Sequence, residues 1–324
     1  MGVFDCVPAN GRISSTTSTE VFNINKSSSS LNNTTRDVES QQQQTVPVKH
    51  SIWWKLAIDL PLLLIVLILL GLYELGVIPS YKAGFYCNDP ALSFKFRGDT
   101  ISMAFIMISV LLFPFAIIWI TELTFSESDT LKSRAMKALS VTGVLFRNYL
   151  YGFFFNLGII EVMKGLTGSP RPTFFDICEP DTGKTCYGTG YVSEFQCTST
   201  KYSNWFQMDS YHSFPSGHTS LSVYCGLFTA WYLQRRAFSW HGRTVFLVPV
   251  IQLLCLSYSA VCSLTRITDH RHHWWDVLTG SMIGVATVLY AVLVMSNNFS
   301  TLKLKRNDKR SSIKVNCPSV RSVT

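Results

Sequence analysis

Charge is scarce in this chain. Only 15% of its 324 residues are Asp, Glu, Lys or Arg, against 47% that are hydrophobic. The apolar residues stand in blocks rather than at helical or strand period, which excludes an ordinary soluble domain. Cysteine at metal-ligand spacing is also missing. None of the nine cysteines has the paired spacing of a zinc site. No cleavable signal peptide is visible ahead of the first apolar block, which is expected to act as an uncleaved anchor. Basic residues interleaved with aromatics are absent as well. The net charge of +8 sits at the edges of the apolar blocks, so nucleic acid is a poor partner for this chain.

What is present is membrane-length hydrophobicity. A transmembrane helix needs roughly 20 mostly apolar residues. Six windows qualify: Trp54–Ile78, Ile101–Thr121, Val144–Gly165, Gly217–Leu233, Val245–Ser263 and Val277–Ser296. The expected fold class is all-α, a polytopic membrane protein of six transmembrane helices. Residues 54–296 form that domain, between a disordered tail over 1–50 and a basic tail over 297–324. Cytoplasmic flanks collect Lys and Arg. Lys49, Lys55, Arg235, Arg236, Arg243 and the "LKLKRNDKRSSIK" stretch therefore put both tails inside.

This topology sorts the remaining features. The sequons at Asn25, Asn32, Asn33 and Asn298 are cytoplasmic and stay bare, and "MGVFDC" approaches a myristoylation signal but has Cys6 where Ser or Thr is wanted. Cys6 and Cys317 are cytoplasmic, and Cys225, Cys255 and Cys262 read as packing residues within the spans. Cys87, Cys178, Cys186 and Cys197 fall outside, where disulfides persist; Cys178 and Cys186 could close a small loop, but the pairing is open.

Three outward segments remain, Pro79 to Thr100, Leu166 to Ser216 and Leu264 to Trp275. The second begins with "KGLTGSPRP" and ends with "SFPSGHTS"; the third holds "TRITDHRHHWWD". All three motifs share one face of the membrane. They read as Lys, six residues, Arg-Pro; as Pro-Ser-Gly-His; and as a hydroxyl residue, Arg, five residues, His, three residues, Asp.

In that order and on one face, the motifs resemble the lipid phosphate phosphatases, the integral-membrane branch of the type-2 phosphatidic acid phosphatase superfamily. The resemblance covers Trp54 to Ser296. Thr265 stands where the family usually has Ser, and the Leu166–Ser216 loop lacks the sequon often found there. The resemblance implies hydrolysis of lipid phosphate monoesters with no cofactor. It implies Lys164, Arg171, Ser216 and Arg266 on the phosphate, His218 as acid, His272 as nucleophile and Asp276 as its partner.

The chemistry of the residues runs the same way. A phosphate monoester carries nearly two negative charges, which Lys164, Arg171 and Arg266 can hold, with bidentate geometry from the arginines. The backbone N–H groups of Ser216 and Gly217, at the start of the fourth span, offer a cradle for an anion. His272 and Asp276 lie four apart, so a starting helix puts them on one face, with Asp276 accepting the ring N–H. His218 is placed to protonate the lipid alkoxide that leaves, then to activate water. The three histidines suggest a metal site first, but a positive cradle already supplies the metal's electrostatics, so no metal is expected.

Other residues carry blander readings. Glu161 is an ion partner for Lys164, Arg147 a snorkelling anchor, and His270, His273 and His212 bystanders. Trp274 and Trp275 read as interface aromatics, and Gly280 with Gly284 as a helix-packing pair. The expected partners are membrane lipids and lipid phosphate substrates, at the plasma membrane; a homo-oligomer is compatible with the sequence. Two alternatives share the scaffold: a lipid phosphotransferase, and a catalytically silent lipid-binding protein. Intact Lys164, Arg171, His218, Arg266, His272 and Asp276 argue against the second of these.

Overall fold

Long runs of Leu, Ile, Val and Phe with few charges can satisfy their backbone only as helices when no water reaches them. The computed structural model describes residues 52–74, 76–126, 130–184, 186, 188–238 and 245–300, and there each expected window contains one long helix. They are α1 Ile52–Glu74, α2 Met103–Phe125, α3 Leu131–Thr167, α6 Gly217–Arg236, α7 Leu247–Thr268 and α8 Trp274–Leu289, which continues in π-type turns over Tyr290–Met295. Two short helices, α4 Phe174–Cys178 and α5 Asn204–Asp209, lie between α3 and α6. The expected disordered tail over 1–50 and residues 301–324 of the expected basic tail lie outside the described residues, as does Arg243.

Three of the helices are long and apolar enough to cross a membrane by length and composition: Met103–Phe125, Leu247–Thr268 and Trp274–Met295. In α1 the apolar helix is shorter, Leu60–Tyr73. The two remaining helices are more polar than a lipid-facing span. α6 is rich in Ser and Thr because it runs down the centre, against α2, α3, α7 and α8. Its Thr219, Ser220, Ser222 and Thr229 are fully buried among neighbours rather than turned to lipid. α3 starts well before the expected Val144. At 37 residues it is about 55 Å long, beyond the roughly 30 Å hydrocarbon core of a bilayer, and its first turns carry Lys132, Arg134 and Lys137.

α2 shows how the bundle sorts its faces. Ile106, Val110, Pro114 and Ile118, four apart, are buried in the core, while Phe105, Ile108, Leu112 and Ile120 are exposed. α7 likewise exposes Val250, Leu253, Leu254, Val261 and Leu264. So much apolar surface would drive association in water; in lipid it is ordinary. The core itself centres on Tyr149, Phe153, Leu221, Tyr224, Phe228 and Tyr232. Gly280 and Gly284 are packing residues, as expected. A Cβ at Gly280 would sit 2.5 Å from the Ser216 carbonyl and one at Gly284 2.7 Å from that of Ser220, so only glycine lets α8 lie this close to the start of α6.

The segments before α2 and before α6 fold on each other. Strands β1 Phe85–Tyr86 and β2 Tyr191–Val192 pair antiparallel. Phe85, Phe174 and Phe195 pack edge to face around Leu92. Disulfides join Cys87 to Cys186 and Cys178 to Cys197. The Cys178–Cys186 loop considered from the sequence does not form, because Cys178 is held by Cys197 farther along the same segment and Cys186 by Cys87 in the segment before α2.

Candidate active site

Each motif ends or begins a helix, and this is what aims its side chains. Lys164 lies in the last turn of α3. The helix stops at Gly168, which takes the left-handed conformation (φ 54°), and a Cβ there would run into the Tyr81 carbonyl. The chain then turns through Ser169-Pro170 to Arg171, whose backbone N–H donates to the Ser210 carbonyl at 2.8 Å. Ser216 is the N-cap of α6, and α7 ends just past Arg266. His270, in the left-handed region (φ 53°), reverses the chain. The backbone N–H groups of Arg271 and His272 both donate to the Arg266 carbonyl, at 3.0 and 3.1 Å.

The three motifs meet at His272, which is buried. Its Nδ1 donates to the Ser213 carbonyl at 2.7 Å, which leaves Nε2 unprotonated, and Nε2 lies 3.4 Å from Nη1 of Arg171. Burial and the charge of Arg171 push the His272 pKa down to about 4, with the nearby Asp276 opposing, so the ring is neutral at pH 7. His218 lies within electrostatic reach of Arg266, His272, Arg171 and Lys164. Its Nε2 is buried with no hydrogen-bond partner among the described residues. Arg266, 1% exposed, also has a buried, unpartnered Nε. Buried donors left unmade are costly, and a phosphate would satisfy them.

The cationic cradle expected from Lys164, Arg171 and Arg266 is interlaced with carboxylates. Lys164 pairs with Glu161 at 2.8 Å, as read from the sequence. Arg171 pairs with Asp209 at 2.5 Å, and Arg266 with Asp99 and Asp269, each at 3.1 Å. Arg271 joins Asp99 and Asp209 at 3.1 and 2.6 Å. Burial pulls the Arg171 pKa down to about 10, partly offset by Asp209, so Arg171 stays charged at neutral pH. Burial works to raise the Asp209 pKa, but Arg171 and Arg271 overrule it and hold that carboxyl far below its usual range. Close burial of like charges without counter-charges would be prohibitive, which is why four cations share four carboxylates here.

Three expectations need correction. Asp276 does not accept the His272 ring N–H: the two stand 3.8 Å apart, too far for a hydrogen bond, and the Ser213 carbonyl has taken that proton. The reason is that α8 begins at Trp274, so His272 precedes the helix and the i, i+4 geometry does not apply. Asp276 Oδ2 instead accepts from the Ser213 hydroxyl at 2.6 Å and from the His273 backbone N–H at 2.9 Å. It thus holds the residue whose carbonyl holds His272. Second, His273 is closer to Asp276 than His272 is, at 3.3 Å, but in a capping box at the helix start, with its ring stacked on Trp275. Third, the Ser216 N–H is not free for an anion, because it donates to the Asp276 carbonyl at 3.1 Å. The Ser216 hydroxyl meets that of Thr219 at 3.0 Å. The first-turn amides of Gly217, His218 and Thr219 have no acceptor within the helix. A Cβ on Gly217 would come 3.8 Å from the Lys164 ammonium, so this turn faces that charge.

The histidines of the third motif do not converge on one point. His270 stacks on Phe94 at 4.0 Å, His273 on Trp275 at 4.5 Å, and only His272 faces the arginines. His212, also read as a bystander, is drawn down to about 4 by burial and the charge of Lys164, and its Nε2 meets Ser80 at 3.0 Å. The residues not picked out from the sequence are Ser213, Asp209, Arg271 and Asp99. Ser213 and Arg271 stand inside quoted motifs; nothing local marks Asp99 or Asp209.

Comparison with known proteins agrees with the motifs. The model of the PAP2 superfamily matches residues 145–300, which takes in all three. Phospholipid phosphatase 1 of Rattus norvegicus is 30% identical over 237 residues, covering 72% of this chain and 82% of that protein. Phospholipid phosphatase 2 of Mus musculus is 29% identical over 224 residues, 68% of this chain and 79% of that protein. No solved structure matches. Fold, site and relatives together define a helical membrane enzyme of the phosphatase class. The chain belongs to the lipid phosphate phosphatase family of the PAP2 superfamily.

Proposed function

We propose that the protein hydrolyses lipid phosphate monoesters of the phosphatidate, lysophosphatidate, sphingosine phosphate and ceramide phosphate class through a phosphohistidine on His272. The observation that carries this reading is the His272 ring, its Nδ1 proton committed to Ser213 and its unprotonated Nε2 turned to the Arg171 guanidinium at 3.4 Å. Nε2 attacks phosphorus and the P–O ester bond breaks. The alkoxide takes a proton from His218. Water, giving its proton to His218, then attacks phosphorus and the P–N bond breaks, releasing inorganic phosphate and free His272. Lys164, Arg171, Arg266, Ser216 and the first-turn amide of Gly217 hold the phosphoryl oxygens. Asp276 supports the nucleophile through Ser213, and no metal is required.

The reading includes six transmembrane helices and a site on the outer face of the plasma membrane or the lumenal face of an internal one. Two disulfides in the segments that carry the site, and Arg235 and Arg236 at the far end of α6, support that orientation. The test presents vesicles containing lipid phosphates to intact cells that express the protein, with excess EDTA outside. Phosphate release should persist. Release only after permeabilisation would exclude the outer face of the plasma membrane, leaving a lumenal or a cytoplasmic site, and loss restored by Mg²⁺ or Zn²⁺ would revive a metal mechanism.

The pKa of His272 adds a second test. A nucleophile that titrates near 4 stays neutral, hence competent, well below the ordinary imidazole value of about 6.5. After correction for the second ionisation of the substrate, kcat/KM of the purified enzyme should hold from pH 7 down to about pH 5. An acid limb centred near 6.5 would mean that burial and the charge of Arg171 do not hold the His272 ring neutral in the working enzyme.

A further inference from the structure

Arg171 has a long, flexible side chain, yet its guanidinium is fixed on two edges by a single residue. Nε donates to the backbone carbonyl of Asp209 at 2.7 Å, and Nη2 donates to Oδ1 of the same residue at 2.5 Å. That leaves Nη1, which points to the Arg271 carbonyl at 3.2 Å and to His272 Nε2 at 3.4 Å. Asp209 is the last residue of α5, and its second carboxylate oxygen accepts from Nη2 of Arg271 at 2.6 Å. One carboxylate therefore binds two arginines, both within 7% side-chain exposure. Without it, two guanidinium groups would repel each other in a site of low dielectric.

We infer that Asp209 is a positioning residue for phosphoryl transfer, orienting Arg171 so that Nη1 is the amino group presented beside the attacking nitrogen of His272. Asp209 touches neither His272 nor the phosphoryl position; it acts through Arg171. The inference rests on the proposed phosphatase reading, in which Arg171 contacts the phosphoryl group. Truncating Asp209 leaves Arg171 charged and still able to attract an anion, but free to swing. Loss should therefore fall on kcat, where geometry counts, rather than on KM. A purely structural role would lower the yield of folded protein and leave kcat per active site unchanged.

The experiment is a double-mutant cycle on the purified full-length protein in detergent, with short-chain phosphatidate as substrate and melting temperature recorded for each variant. Asp209→Ala should lower kcat by about 10- to 100-fold with KM within about threefold. Asp209→Asn, which keeps one acceptor oxygen, should fall between this and the parent. In an Arg171→Lys background, where no fork remains to be oriented, Asp209→Ala should cost almost nothing more. Additive losses, a change confined to KM, or parental kcat in Asp209→Ala would each overturn the role of Asp209. If the parent protein itself released no phosphate from any lipid phosphate, the phosphatase reading would fall and this role with it.

Discussion

His272→Ala is expected to abolish turnover, a loss of about 10⁴-fold or more, because it deletes the nucleophile and leaves no group to take its place. The same variant should lose the acid-labile, alkali-stable phosphoprotein that the parent forms on brief exposure to labelled lipid phosphate. His218→Ala should fall by about 10²- to 10⁴-fold, as the proton donor is lost while the nucleophile remains. Trapped phosphoenzyme should survive in it with substrates whose leaving group needs no proton. His270→Ala keeps turnover, since that ring only stacks on Phe94. His273→Ala removes a helix cap, which costs about 1 kcal/mol of stability, but spares the chemistry. An active His272→Ala beside a dead His273→Ala would move the attack to the other ring, the one in direct contact with Asp276.

Arg171→Ala and Arg266→Ala should each lower kcat/KM by about 10²- to 10³-fold, the usual cost of losing a preorganised donor to charge developing in the transition state. The two differ in folding. Arg171→Ala leaves Asp209 still paired with Arg271, whereas Arg266→Ala takes the cation away from Asp269 and leaves that carboxylate only its hydrogen bonds from Thr100. Arg266→Ala should therefore also lower the melting temperature. Lys201→Ala is the control: this exposed residue pairs weakly with Asp176 at 3.7 Å and rests on Tyr202. Phosphate release by the three variants across a substrate titration checks the point. Equal losses in all three would mean that general loop charge, not an oriented set of donors, holds the substrate.

Much of this site could be read along the chain because its parts are local motifs. Lys164 and Arg171 are separated by one helix end, and His218 sits one residue into α6. Arg266 and His272 bracket a single tight turn. What failed was the inference that depended on helical register. His272 and Asp276 are four apart, but the helix begins after His272, and a spacing rule says nothing outside the helix. Most of the carboxylates in the cradle escaped the sequence for a different reason. Charge counting along motifs sees Arg266, but not that Asp99, 167 residues away, and Asp269 lie against it.

The sequence by itself determined the apolar helices, the order of the motifs, and the residue types available for chemistry, because hydrophobic run length and motif spacing are properties of the chain. Tertiary structure decided which ring nitrogen is unprotonated, which arginine edge faces it, and which cysteines pair. The ring nitrogen and the arginine edge are set by hydrogen bonds and ion pairs between segments 38 to 167 residues apart. In a site this buried, most donors must find an acceptor in the protein, and only the folded chain shows which acceptor is near.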